Sequence, residues 1–328
     1  MQPTFIRVIW IIAAASVALS TGCRRLRPSA NAQPPTPSPA ALREQFAYPE
    51  EAPLVLKRAE LETAPTYSIR RVEISAPTSG QPERIVVFDY YDLADTNKSP
   101  IVLVLPVAGG SYELERHFAG FFARNGMAAI IVHREKLRHE LKRIDALDGL
   151  LKQTVIDHKR VIDWLETQPD LDSAKVAVFG ASLGGIKGVL LTALDERIQA
   201  AVLGLVGGNL PYILAHSTEK GIVKIRDSLL GEHNGSVREF EEQLRQAITL
   251  DPNAVAPYID AREVLLVLAA YDKVVPVEKG WELWEKMGKP EAIVLPSGHY
   301  TAAVFLPYIQ REALRFFQKR FGEIRVSP

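Results

Sequence analysis

Residues 176–188 read Val-Ala-Val-Phe-Gly-Ala-Ser-Leu-Gly-Gly-Ile-Lys-Gly. The apolar run 176–179 predicts a strand, and the run 185–194 predicts a helix. Between them lies Gly-x-Ser-x-Gly, with Ser182 at its centre. A serine on such a sharp strand-to-helix turn exposes its hydroxyl at the sheet edge, and the flanking glycines leave room for the turn. The stretch therefore predicts that Ser182 is a nucleophile, and a glycine-rich turn without chemistry is the alternative.

Composition indicates a globular protein with no strong overall electrostatic field. The 328 residues are enough for one large α/β domain or two small ones. Basic and acidic residues number 39 each, so net charge does not favour nucleic acid as a partner. Cys23 is the only cysteine, which excludes an internal disulfide and argues against a thiolate metal site. A body without thiols suits an oxidising compartment.

The amino terminus has the layout of a secretory signal peptide, which we assign to residues 1–22. Arg7 and the terminal amine form a short basic region, and the apolar run 8–19 is short for a membrane span. Leu19-Ser20-Thr21-Gly22-Cys23 resembles a bacterial lipobox, although Ser20 stands where leucine is usual. This resemblance implies an exported outer-membrane lipoprotein, anchored through a lipid on Cys23 and facing the periplasm or the surface. A plain signal peptide and an uncleaved signal anchor are the alternatives.

Residues 23–45 are rich in arginine, proline, alanine and serine. Prolines at positions 34, 35, 37 and 39 predict an extended tether without helix or strand, which would let the body stand off a membrane. The globular domain is expected to occupy residues 46–328. Its first part, 41–66, is predicted to be irregular, with one weak helix candidate at 52–63.

The body alternates between predicted strands and predicted helices. Alternation of this kind predicts an α/β fold, with a mostly parallel sheet covered on both faces. Strands are predicted at 68–75, 83–91, 101–105, 127–132, 175–179, 198–206, 264–270 and 292–295. The segment 209–260 contains only helical patterns, so it is predicted to be a small helical cap insertion. The charged run 133–149 is either a solvated helix or a rim of the site.

An acid and a base follow Ser182 in the order that activation of a serine requires. A serine hydroxyl needs a base to take its proton, and the base needs a group that orients it. His299 lies in a Gly-His loop directly after the last predicted strand, and Asp272 lies in the loop after the preceding strand. Asp251 and Asp260 are the runners-up for the acid. The other six histidines lie on predicted helices, in charged segments or in the cap.

These motifs resemble the α/β-hydrolase superfamily. The resemblance runs from about residue 68 to 321 and includes the elbow at Ser182, the Asp-x-x-Val-Pro loop at Asp272 and the Gly-His loop at His299. Within the superfamily the chain is similar to the dienelactone hydrolase and esterase-like branches. The resemblance implies an α/β-hydrolase fold and a serine hydrolase that cleaves a small-molecule ester through an acyl-enzyme. It implies no metal and no organic cofactor.

The resemblance also implies an oxyanion hole. Many members carry His-Gly-x-Gly-Gly after the third strand, and residues 106–110 match it by position as Pro-Val-Ala-Gly-Gly. The implied donors are the backbone amides of Ala108 and Leu183. Pro106 and Val107 replace His-Gly, which leaves open which amide points inward. Gly109-Gly110 as an ordinary turn is the alternative.

The same sequence also fits other functions. A peptidase or an acyltransferase would use the same three side chains, and a non-catalytic binding module on the envelope would use none of them. The cap residues Leu210, Tyr212, Ile213, Leu214 and Ile222 are apolar. They either form a pocket for an apolar acyl or aryl group or pack the cap on the body. The sequence does not indicate the oligomeric state.

Overall fold

One large sheet runs through the molecule, and helices cover both of its faces. The computed structural model describes residues 22–29, 34–49, 51–77, 84–94, 98–134, 146–233, 236–322 and 324. Strands in these ranges are β1 Arg24–Leu26, β2 Val55–Thr63, β3 Tyr67–Ser75, β4 Ile85–Leu93, β5 Ser99–Leu105, β6 Ala128–Val132, β7 Leu171–Ala181, β8 Ile198–Gly204, β9 Val264–Ala269 and β10 Glu291–Leu295. Helices are α1 Ala40–Glu44, α2 Glu113–Arg124, α3 Leu147–Glu166, α4 Leu183–Leu194, α5 Leu210–His216, α6 Lys220–His233, α7 Val237–Ala247, α8 Pro252–Val255, α9 Val277–Lys286 and α10 Leu306–Phe321.

The strand order is β1-β10-β9-β8-β7-β5-β6-β4-β3-β2. Strands from β10 to β6 run parallel to one another. At one end β4, β3 and β2 continue the sheet in antiparallel pairing, and at the other end β1 pairs antiparallel with β10. The prediction of a mostly parallel sheet is confirmed. Because parallel strands point the same way, their carboxyl ends form one edge, where loop residues can meet.

Two apolar layers hold the helices against the sheet. On one face α2 and α10 bring Phe122 and Phe317 together, with ring centroids 5.7 Å apart. On the other face Trp164 of α3 packs edge-on against Phe88, with ring centroids 4.8 Å apart. Residues of β5 alternate between the two layers, as the pleat of a strand requires. Each fully buried side chain of this size contributes about 1.5–3 kcal/mol.

The prediction of a helix at 52–63 is wrong, because Val55–Thr63 form β2 and pair antiparallel with β3. Leucine, lysine, arginine, alanine and glutamate dominate this stretch, and all of them favour a helix in isolation. The open edge of β3 offers a row of backbone partners to β2. Pairing across the sheet therefore overrides local propensity.

The segment 23–45 also differs from the prediction of a tether without helix or strand. Arg24–Leu26 form β1, and Ala40–Glu44 form α1. Further along, the Ser29 amide donates to the Lys289 carbonyl at 3.2 Å, and the Thr36 amide donates to the Pro257 carbonyl at 2.9 Å. Backbone partners on the body thus hold this segment. Residues 1–21, with most of the predicted signal peptide, lie outside the described residues, as do 135–145 in the charged run.

The insertion between β8 and β9 consists of the helices α5 to α8. α7 begins with a capping box, in which Ser236 accepts from the Glu239 amide and Glu239 accepts from the Ser236 amide. Leu210 and Ile213 are buried in the core, so these two cap residues pack the insertion on the body. Within the described ranges, no helix is long and apolar enough to cross a membrane.

Candidate active site

Ser182 lies at the turn between β7 and α4, at the carboxyl edge of the sheet. Its backbone has φ 54° and ψ −125°, a conformation that costs a non-glycine residue free energy. Two hydrogen bonds hold it there: the Ser182 amide donates to the Gly204 carbonyl at 2.9 Å, and the Ile186 amide donates to the Ser182 carbonyl at 3.0 Å. The strained turn therefore fixes the position of the serine hydroxyl.

Neither glycine of the Gly-x-Ser-x-Gly motif has room for a side chain. A methyl group on Gly180 would lie 2.3 Å from the carbonyl oxygen of Gly184. A methyl group on Gly184 would lie 2.3 Å from the carbonyl oxygen of Leu105 and 3.3 Å from that of Pro106. The elbow thus touches the loop that follows β5, which is the loop expected to supply an oxyanion donor.

His299 joins the serine to the acid. Its Nε2 lies 3.0 Å from Oγ of Ser182, and its Nδ1 lies 2.7 Å from Oδ2 of Asp272. An ionised carboxylate only accepts, so Nδ1 carries the hydrogen and Nε2 is free to accept the serine proton. This is the arrangement that makes a serine hydroxyl nucleophilic.

Asp272 is fixed from its other side. The carboxylate is 5% exposed, and its Oδ1 accepts the amides of Val274 at 2.9 Å and Val275 at 3.0 Å. These two amides leave Oδ2 for the imidazole of His299. The loop after β9 therefore orients the acid without help from another side chain.

The runners-up for the acid have other partners. Asp251 accepts the amides of Asn209 and Leu210, and it caps α8. Asp260 pairs with Arg262. The structure brings Ser182, Asp272 and His299 together, whereas these two aspartates cap backbone turns.

The loop that follows β5 is braced by two charged residues that the sequence analysis did not single out. Glu115, which is 2% exposed, accepts the Val107 amide at 2.7 Å. Arg134 donates from Nη1 to the Val107 carbonyl at 3.0 Å and from Nη2 to the Gly110 carbonyl at 2.6 Å. Its guanidinium also lies 4.7 Å from the ring centroid of Tyr112. Both groups hold backbone, so the loop has one defined course.

This bracing decides which amides remain available for an oxyanion. The amide of Val107 is used by Glu115, and Pro106 has none. Ala108 comes next, and its amide donates to no other described residue. Leu183 begins α4, so its amide has no acceptor within its own helix. Among the described residues, neither of the two predicted donors, Ala108 and Leu183, has an acceptor for its N–H.

Two buried basic side chains lie on the helices α3 and α4. Lys187 of α4 is 6% exposed, and burial lowers its pKa to about 8, with Arg134 acting in the same direction. Burial lowers the pKa of His158 on α3 to about 4, while its Nδ1 hydrogen bond to the Thr154 carbonyl at 2.7 Å opposes the shift. His158 is thus a neutral core residue near neutral pH.

The insertion reaches the acid loop. The hydroxyl of Ser217 donates to the Val274 carbonyl at 2.9 Å, and that of Thr218 donates to the Lys273 carbonyl at 3.1 Å. The connection between α5 and α6 therefore lies beside Asp272. Across the described ranges, no group of three or more His, Cys, Asp or Glu side chains is arranged to hold a metal ion.

Comparison with known proteins gives few sequence relatives and many structural ones. No family model matches the chain. Uncharacterized proteins from two strains of Mycobacterium tuberculosis are each 27% identical over 164 residues, which is 47% of this chain and 35% of the relative. The matched part thus spans about a third of the length of these curated relatives.

Solved structures resemble nearly the whole body. An acetyl xylan esterase from Paenibacillus sp. R4 superposes with a TM-score of 0.65 at 18% identity, covering 86% of this chain and 92% of that one. Acetyl Xylan Esterase 1 from Thermoanaerobacterium sp. JW/SL YS485 gives a TM-score of 0.62 at 15% identity, covering 84% and 95%. An alpha/beta hydrolase from Penicillium sp. sh18 gives 0.53 at 15%, covering 80% and 98%. The chain has the α/β-hydrolase fold.

Proposed function

We propose that this chain is a serine hydrolase that cleaves a small-molecule carboxylic ester through an acyl-enzyme. The hydrogen-bonded series Ser182–His299–Asp272 at the carboxyl edge of the sheet carries the proposal. The buried acid, the strained elbow and the two unused amides agree with it. The acetyl xylan esterases that share the fold support an ester as the substrate class.

The chemistry follows from these positions. Oγ of Ser182 attacks the ester carbonyl carbon as Nε2 of His299 takes the hydroxyl proton. The amides of Leu183 and Ala108 donate to the negative oxygen of the tetrahedral intermediate, each contributing about 10²–10³-fold to the rate. His299 then returns the proton to the leaving alkoxide. Water repeats the sequence on the acyl-enzyme, and Asp272 holds the imidazole throughout.

A fluorophosphonate probe tests the nucleophile. It should label the native protein and leave Ser182→Ala unlabelled. Ser173→Ala, at the opposite end of β7, is the matched control and should label normally. Turnover of a p-nitrophenyl ester should disappear with the label. An unlabelled native protein, or ester turnover that survives in Ser182→Ala, contradicts the proposal.

A second arm separates ester cleavage from the other functions. The same acyl group is supplied as a p-nitrophenyl ester, as the corresponding anilide and together with an alcohol acceptor. An esterase releases product from the ester far faster than from the anilide and transfers little acyl group to the alcohol. Substantial cleavage of the anilide in addition to the ester indicates a peptidase, and transfer that exceeds hydrolysis indicates an acyltransferase. If the native protein is not labelled and turns over no substrate, the result indicates a binding module.

We also propose that the protein is exported and held at an envelope membrane, through a lipid on Cys23. The lipobox-like sequence 19–23 and the apolar run before it support this proposal. Metabolic labelling with a fatty acid should mark the native chain and miss Cys23→Ser. A Cys23→Ser variant with unchanged gel mobility that stays in the membrane fraction contradicts lipidation and supports an uncleaved anchor.

A further inference from the structure

The amino-terminal segment joins the body at the edge of the sheet that carries the candidate site. β1 runs antiparallel to β10, with Arg24 opposite Val294 and Leu26 opposite Ala292. Going backward along β1 therefore leads toward the carboxyl end of β10. A methyl group on Gly22 would lie 3.3 Å from Cγ of Pro296, three residues before His299.

Cys23 is attached directly to the body, with no flexible segment between them. Cys23 is half-buried and packs against the apolar layer that includes α10. Two residues later, Arg25 pairs with the buried carboxylates of Glu291 and Glu312. The proline-rich stretch follows this attachment point instead of preceding it. A lipid on Cys23 would consequently be held close to the His299 loop.

The same edge exposes two large aromatic side chains. Tyr271 precedes Asp272 and is 69% exposed, and Tyr300 follows His299 and is 66% exposed. The other large apolar side chains that are exposed in the described ranges belong to β4, to β2 and to the residue before β2, at the far end of the sheet. Tyrosine is enriched where protein meets the headgroup region of a bilayer, because its ring is apolar and its hydroxyl is polar.

Exposed positive charge lies next to the junction. Arg24 and Arg27 are both exposed, directly after the apolar run 8–19 and the small residues that follow it. Basic residues beside an apolar anchor are attracted to anionic lipid headgroups. Cys23, Arg24 and the exposed tyrosines therefore share one edge of the molecule, whereas Arg27 follows Leu26 at the other end of β1.

We propose that the sheet edge that carries Ser182 and His299 lies against a lipid bilayer surface, held there by the lipid on Cys23. The partner is the headgroup layer, with Tyr271 and Tyr300 placed in it. The proposal rests on the membrane attachment proposed above and adds its orientation. Ester substrates then reach Ser182 from the lipid surface, and a body that stands off the membrane on a long tether is the competing arrangement.

Tryptophan reporters measure the orientation. The full chain is reconstituted from detergent into vesicles of phosphatidylethanolamine and phosphatidylglycerol, some containing acyl chains brominated near the headgroup. Tyr300→Trp is compared with Ala174→Trp, an exposed position near the amino end of β7 and roughly 20 Å from its other end at about 3.3 Å per residue. After subtraction of the native tryptophan emission, bromine should quench the reporter at position 300 and leave that at 174 unchanged.

A second tryptophan reporter and a Ser182→Ala version of the protein serve as controls for this measurement. Tyr271→Trp should be quenched like Tyr300→Trp, so misfolding of one variant does not decide the result. Equal quenching at 300, 271 and 174, or failure of the chain to float with the vesicles, overturns the proposal. The measurement is repeated in Ser182→Ala. Quenching reports lipid contact and needs no turnover, so failure of the hydrolase proposal would leave it unchanged.

Discussion

Oδ2 of Asp272 lies 2.7 Å from Nδ1 of His299, while its Oδ1 is held by two backbone amides of its own loop. The two oxygens thus have different partners, one a fixed pair of donors and the other the imidazole. The residue at position 272 must therefore present an acceptor both to the two amides and to the imidazole. An aspartate does so, and an asparagine does not.

Asp272→Asn should lower kcat by about 10⁴-fold. The amides of Val274 and Val275 select the carboxamide oxygen, which turns the NH₂ group toward His299. Nε2 then carries the hydrogen and faces Ser182 as a donor, so the base is lost. Ester turnover measures the effect, and an unchanged circular dichroism spectrum shows that the fold is retained. A fall of less than tenfold would argue against Asp272 as the orienting acid.

Glu115→Ala should release the loop after β5 and lower kcat by up to about 10²-fold, the lower end for loss of one oxyanion donor. Glu115 accepts the Val107 amide, so without it the Ala108 amide loses its fixed direction. KM should change much less than kcat, because the group acts on the transition state. Glu115→Gln keeps an oxygen acceptor and should restore most of the rate. If both variants lose the same activity, the acceptor is not the reason.

Gly184→Ala should prevent folding to the native state, because the new methyl group would lie 2.3 Å from the Leu105 carbonyl oxygen. Gly149→Ala in α3 is the matched control, since nothing lies within 4 Å of its added methyl group. That control should raise the free energy of unfolding by up to about 1 kcal/mol through helix propensity. Soluble yield and urea unfolding measure both. Normal stability of Gly184→Ala would contradict the close contact.

His158 should make the protein less stable in acid. Its folded-state pKa of about 4 lies below the ordinary value of 6.5, so the unfolded chain binds more protons between these values. The free energy of unfolding therefore falls as pH drops from 6.5 to 4, by roughly 3 kcal/mol in total. His158→Asn keeps a donor for Thr154 and does not titrate, so its unfolding in urea should depend less on pH. Identical pH dependence in both proteins would contradict this assignment.

The parallel centre of the fold is readable from sequence because its strands are buried on both faces. The runs at β5, β6 and β9, and the part 176–181 of β7, are almost entirely apolar and end at turn residues, so few other structures suit them. The edges are not readable in this way. β2 has exposed side chains along most of its length and the composition of a helix, and β1 has only three residues. Their state depends on a partner strand, which local pattern does not contain.

The proximity of Ser182, Asp272 and His299 follows from the sequence for a related reason. Each follows a recognisable buried strand, and carboxyl ends of parallel strands meet at one edge. Glu115 and Arg134 were missed because charged side chains outside a recognised motif, such as an arginine in the run 133–149, look like solvated residues. The signal that could have identified them is their position along the chain: Glu115 follows the end of β5 and Arg134 follows the end of β6. Burial, which turns these charges into a brace, is a property of the folded chain alone.

The pairing of β1 with β10 also has a consequence for the order of folding. Arg25 and Glu291 are 266 positions apart, so the first strand can dock only after almost the whole chain has been made. Contacts of such long range form slowly. Until then the edge of β10 offers unpaired backbone groups to any other extended chain. β1 is thus the last strand to cover the edge of β10. A chain shortened beyond Leu26 should tend to aggregate through that edge.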